Sequence, residues 1–186
     1  MRWEPDAVGR LQQAAFELFS ELGYEDTTVA EIAARAGLTK RTFFRHFSDK
    51  REVLFGGSEQ LTELLVTGIL EAPESATPMQ AASAGLDACS QMFTERHGFA
   101  AQRAELIASS PELQERELIK LASMKAAATS ALVQRGVPET TAELVAETAQ
   151  TVFQVGFNRW IAQDDPAAFS LLMSEALEDL REVTAL

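Results

Sequence analysis

The sequence predicts an all-α fold, and three observations carry that prediction. Apolar residues recur at three- and four-residue steps along most of the chain, the spacing of one helix face. Ala, Leu and Glu are plentiful, while only 6 of the 186 residues are proline and 10 are glycine, a mixture that favours helix. Capping residues precede the periodic segments, and glycine or proline punctuates them, as helix starts and stops require. Nine helices and no convincing strand are expected.

The elements follow in order. Val8, Leu11, Ala15, Leu18, Phe19 and Leu22 mark a first amphipathic helix, which Gly23 stops by supplying a left-handed backbone. Thr28 followed by Glu31 is a capping box, opening the short helix "VAEIAARA" that ends at Gly37. Leu38 can return to the core, and Thr39 caps a third helix containing "TKRTFFRHF" (39–47). Ser48 is the expected cap of a fourth helix reaching about Glu71. The segment "EAPESATP" (71–78) is the best internal break, with two prolines among small polar residues. A fifth helix spans about Met79–Arg96, and a kink near Gly98 leads into a sixth that ends near Ser109. Ser110 and Pro111 open a seventh, expected to stop at Gly136. "VPETTAELV" starts an eighth that ends near Gln163, and Asp165 with Pro166 starts the ninth.

Apolar residues at 46% and charged residues at 24% are the balance of an ordinary soluble protein. A single cysteine provides no disulfide framework, so a reducing, cytoplasmic setting is expected. The N-terminus is no signal peptide. Nowhere do 18 consecutive apolar residues occur, so no membrane span is expected. The net charge of −12 is unevenly spread. Residues 1–52 carry 8 Lys and Arg against 9 Asp and Glu, whereas residues 53–186 carry 8 against 19. Within 39–51, Lys40, Arg41, Arg45, Lys50 and Arg51 face Asp49 alone. One small basic end on an acidic chain is the pattern of a local polyanion contact.

Two short helices pivoting on Gly37 have the form of a helix-turn-helix. Its second helix must protrude into a major groove about 12 Å wide while the first braces it. Ile32, Ala33 and Ala36 give the brace a small apolar face, and Phe43 and Phe47 put two rings on the inner face of the reading helix. Lys40, Arg41, Thr42, Phe44 and Arg45 are left facing outward.

The string "TTVAEIAARAGLTKRTFFRHFSDKREVLF", preceded by "AAFELFSELGYE", closely resembles the N-terminal domain of the TetR/AcrR family of transcriptional repressors over about residues 8–55. The resemblance implies a DNA-binding domain at 1–50 and a helical effector-binding and dimerisation domain at 51–186. It implies a homodimer on a palindromic double-stranded operator, released by a small-molecule effector. By position, Thr28, Thr39, His46 and Lys50 would touch phosphates, while Lys40, Arg41 and Thr42 would meet base edges or phosphates. Phe44 departs from the commoner Tyr, which leaves it a thymine methyl or a sugar to contact. Tyr24 is expected to pack. Arg2 could add a backbone or minor-groove contact, against the alternative of a loose terminus.

The last two expected helices look built for pairing. Val145, Val152 and Val155 form one strip of the eighth, with Ala149, Phe153, Gly156, Phe157 and Trp160 forming another. Phe169, Leu172, Met173, Ala176, Leu177 and Leu180 form a stripe on the ninth. Helices apolar on two sides are buried on two sides, so a four-helix interface between two copies is expected, with an ordinary monomeric core as the alternative. For sensing, the candidates are Cys89, Met92, Phe93, His97, Phe99 and Arg103, joined by Phe153, Phe157 and Trp160. Leu86, Leu106 and Ile107 supply further apolar surface. A pocket is mostly apolar with a few polar groups. The acidity of this part favours a cationic or neutral apolar effector, a preference Arg103 could reverse.

An enzyme is the natural rival, and the inventory argues against it. His46 and His97 are the only histidines, Cys89 is the only thiol, and no metal, phosphate-loop or nucleophile-elbow motif occurs. No cofactor and no metal are expected. Two alternatives remain open: an activator or effector-independent DNA binder, and a protein-interaction module using the same fold.

Overall fold

The computed structural model describes residues 6–94 and 96–184, apart from the side chain of Gln91; the contact expected of Arg2 lies outside the described residues. Those residues form eleven α-helices and one 3-10 turn, with no strand among them. The excess over nine comes from two interruptions. The expected fourth helix is split into α4 (Glu52–Phe55) and α5 (Ser58–Glu71) at Gly56 and Gly57. The fifth is split into α6 (Pro78–Ala88) and α7 (Ser90–Thr94), where the Cys89 amide turns back to the Leu86 carbonyl at 3.1 Å.

The chain divides into two compact units. Unit 1 is Met1–Gly57 with Gln102–Glu117, and unit 2 is Ser58–Ala101 with Leu118–Leu186. The first unit therefore includes sixteen residues from the middle of the chain, which composition alone does not assign there. Helices α8 (His97–Ser109) and α9 (Pro111–Gln134) each contribute to both units.

In unit 1, α1 (Ala7–Leu22) buries Leu11, Ala14, Ala15, Phe16, Leu18 and Phe19 and is stopped by Gly23 at φ 87°. Helix α2 (Val29–Arg35) opens on the Thr28–Glu31 capping box, with the Glu31 carboxylate accepting from the Thr28 amide at 2.8 Å. Helix α3 (Lys40–His46) opens on Thr39, whose hydroxyl accepts from the Thr42 amide at 3.1 Å. Ser48 does not cap the next helix. Asp49 does so instead, accepting from the Arg51 amide at 2.9 Å and the Glu52 amide at 3.3 Å. A carboxylate one residue later is the stronger acceptor for a helix N-terminus.

In unit 2, α5 and α6 cross with their backbones nearly touching. A Cβ on Gly85 would lie 2.7 Å from the Leu65 carbonyl oxygen, and one on Gly68 would lie 2.7 Å from that of Ala84. The loop between them is closed by Arg135, which donates to the carbonyls of Leu70 (3.0 Å), Ala72 (2.7 Å) and Pro73 (2.7 Å). Helix α10 (Glu139–Ile161) packs along α11 (Phe169–Thr184), with Gly156 against Met173 and Leu172. Asp165 and Pro166 do start the last segment, but as the 3-10 turn Pro166–Ala168 ahead of α11. Two clusters form the core, one around Leu65, Ile69, Leu132 and Val152 and one around Trp160 and Phe169.

Candidate nucleic-acid interface and sensing cleft

The reading helix is held from beneath. Phe43 is fully buried and Phe47 nearly so, with their ring centroids 5.5 Å apart. The turn before it bends at Gly37, φ 66°, a conformation side chains other than glycine rarely adopt. The Arg10 guanidinium caps the Ala36 carbonyl beside that turn, so a Cβ at Gly37 would also lie 2.8 Å from this guanidinium. The first helix thus clamps the pivot directly, a role for Arg10 that helical spacing does not reveal.

With its inner face seated, α3 leaves Lys40, Arg41, Phe44, Arg45 and His46 exposed, and Thr42 half-buried. Phe44 is 55% exposed, an unusual position for a large apolar ring. Among the described residues, Lys40 and Arg41 form no ion pair. Arg45 and His46 touch each other at 3.3 Å. Arg35, on the bracing helix, is instead engaged by Glu21 at 2.8 Å and Glu17 at 3.4 Å. Thr28 and Thr39 lie exposed at the N-termini of α2 and α3.

Lys50 is placed differently from the other candidates. Its ammonium donates to the carbonyls of Tyr24 (2.7 Å), Glu25 (3.2 Å) and Thr27 (3.3 Å), and lies 4.1 Å from the centre of the Tyr24 ring. All three of its protons have acceptors inside the fold. The Tyr24 ring packs on Phe19 at 5.2 Å. Its hydroxyl is buried with no hydrogen-bond partner among the described residues. Burial, then the nearby Glu112 carboxylate, holds its ionisation well above the ordinary tyrosine value. Arg103, a sensing candidate from sequence, belongs to unit 1. It donates to the Leu54 carbonyl at 2.8 Å, pairs with Glu117 at 2.7 Å and stacks over Phe55.

Unit 2 contains an open cleft lined by α5, α6, Cys89, α7, α9 and α10. Of the sequence candidates, Cys89, Phe93 and Phe153 line it. Met92 is half-buried against the same core, and Phe99 is half-buried on α8. Phe157 and Trp160 sit in the second cluster, where Trp160 is fully buried and donates to the Pro166 carbonyl at 3.0 Å. His97 packs edge-on against that indole at 4.5 Å, with Nε2 3.1 Å from the Trp160 carbonyl. Burial pushes the Cys89 thiol up to about 12, so it is an apolar wall at neutral pH. The walls that sequence reasoning missed include Leu61, Leu65 and Ile69 on α5, Leu121, Met124 and Lys125 on α9, and Gln150 on α10. The four-residue step from Leu61 to Leu65 to Ile69 was the available signal.

The stripe expected to pair two copies is mostly turned inward. Val152, Phe169, Leu172 and Met173 are buried within the chain, and Val145, Leu177 and Leu180 pack against its core. Val155 is 40% exposed, alongside Leu144 and Leu171, which the sequence reading did not select. Period alone does not distinguish a face buried by the chain's own helices from one buried by a second copy.

A glycine-pivoted helix pair with a seated, cationic outer helix, in a chain that is otherwise helical, defines a helix-turn-helix transcriptional regulator. Residues 11–55 match the tetR family of bacterial regulatory proteins, and residues 76–185 match the MftR C-terminal domain. The chain belongs to the TetR/AcrR family. It is 26% identical over 173 residues to MftR of Mycobacterium tuberculosis, whose name assigns it to mycofactocin biosynthesis regulation, covering 90% of this chain and 83% of that protein. It is 39% identical over 74 residues to the regulator TcmR of Streptomyces glaucescens, a match covering 40% of this chain but only 33% of that one. Among solved structures, an Aquifex aeolicus regulator of this family superposes with a TM-score of 0.58 at 20% identity, covering 95% of this chain and 98% of the other. SmeT, the repressor of a Stenotrophomonas maltophilia multidrug efflux pump, gives 0.59 at 17% identity over 95% and 89%. No described helix is long and apolar enough to cross a membrane.

Proposed function

We propose that this transcriptional regulator is a repressor that binds a palindromic operator as a homodimer and is released by a small molecule in the cleft of unit 2. The observation carrying the reading is the exposed Lys40 and Arg41, without an ion pair among the described residues, on a helix whose underside is sealed by Phe43 and Phe47. Lys40, Arg41, Thr42 and Arg45 would meet base edges and phosphates, with Phe44 against a thymine methyl or sugar. Thr28, Thr39 and His46 would hold the backbone.

One short helix reads too few base pairs for useful specificity, which supports two copies. The exposed apolar residues Leu144 and Val155 on α10 and Leu171 on α11 supply outward contacts for such pairing. Release follows if the ligand favours a spacing of the two reading helices that no longer fits successive grooves.

Mapping of bound sites on genomic DNA tests the reading. A few sites with an inverted repeat are expected, and uniform occupancy would overturn it. Sedimentation at micromolar concentration should give a dimer; a monomer would overturn the pairing.

A further inference from the structure

The cleft's chemistry narrows what it can hold, given the reading of unit 2 as the sensor. Leu61, Leu65, Leu86, Leu121 and Phe153 present hydrocarbon, and only Lys125 and Gln150 bring polar side chains to it. The Lys125 ammonium is paired with Glu147 on α10, so the two side chains together carry no net charge. An anionic ligand would have to draw Lys125 from Glu147 and sit beside that carboxylate. A cationic one would meet the ammonium. Either would lose hydration against walls that return none of it. Gln150 is half-buried like Lys125, but its carboxamide forms no hydrogen bond among the described residues. That group offers a donor and an acceptor to one partner.

We propose that the cleft binds an uncharged lipophilic molecule bearing a single hydroxyl or carbonyl, its body among the leucines and its polar group on Gln150. The acidity of residues 53–186 pointed to a cationic or neutral effector; between these, the hydrocarbon walls favour the neutral one.

A matched series tests this on the full-length protein without DNA. Binding of 1-octanol, octanoate and octylammonium is measured by calorimetry and by the shift in thermal unfolding. Octanol is expected to bind at least about tenfold more tightly than either ion, a difference of about 1.4 kcal/mol. Gln150→Leu and Gln150→Met should each weaken octanol about tenfold. Tighter binding of either ion, no binding by any of the three, or unaltered octanol affinity in both Gln150 variants overturns the assignment. Operator release is read separately. If octanol binds yet leaves operator affinity unchanged, the sensing role fails while the ligand class stands.

Discussion

Arg41 and Lys50 carry the same charge and stand in the same basic stretch, yet their surroundings give them different roles. Arg41 projects from α3 with no ion pair among the described residues, and its planar fork suits guanine. Arg41→Ala should cost ~1–3 kcal/mol at one base position and leave the other positions as they were. Operator variants covering all four bases at each position check this; a uniform loss would refute it. Lys50, by contrast, has its three protons on Tyr24, Glu25 and Thr27 carbonyls. Lys50→Met should therefore lower the melting temperature and cost at least about 1.5–3 kcal/mol of stability, the worth of one hydrogen bond to a charged group. Operator binding followed against salt should keep its slope, because the number of phosphates neutralised does not change. A flattened slope would make Lys50 a phosphate ligand after all.

At the scale of elements, the capped starts of α2 and α3 and the glycine pivot were legible because they depend on residues three or four apart. Thr28 with Glu31, Thr39 with Thr42, and Phe43 with Phe47 each close locally. What could not be read depends on residues far apart in sequence. A lysine ahead of a helix suits a phosphate as well as three carbonyls more than twenty residues earlier. Gly68 and Gly85 look like ordinary helix-weakening residues until α5 and α6 are seen in contact. Gly85→Ala would push its methyl against the Leu65 carbonyl and should cost about 1–3 kcal/mol, the range for overpacking; chemical denaturation measures it.

The start of α4 gives a pH prediction. Arg51, chiefly through its side-chain hydrogen bonds, holds the Asp49 carboxyl below its ordinary value of 3.8. A group with a depressed folded value stabilises above the unfolded one, and that stability is lost as pH falls through the folded value. Melting temperature should thus drop more steeply in the wild type than in Asp49→Asn below about pH 4. Parallel curves would remove Asp49 from the acid response.

For the whole molecule, the charge of −12 is misleading as a guide to partners. Residues 53–186 hold most of the excess acid, and 39–51 are strongly basic. Operator affinity should fall steeply with added salt, and Lys40→Ala should lessen the slope by about 1. Titrations across a range of salt concentrations decide this, and an affinity insensitive to salt would contradict a phosphate-bound α3.

The glycine crossing in unit 2 has a mechanical corollary. Helices α5 and α6 meet at Gly68 and Gly85, where the backbone of one helix lies against the other and the Leu65 and Ile69 side chains close the space beside Gly85. Arg135 fastens the end of α5 to the residue just beyond α9. A guest larger than the resting space must therefore gain room on the opposite bank, where Leu121, Met124 and Lys125 stand a few turns from that rivet. On this packing, unit 2 is expected to open as a jaw with one stationary side.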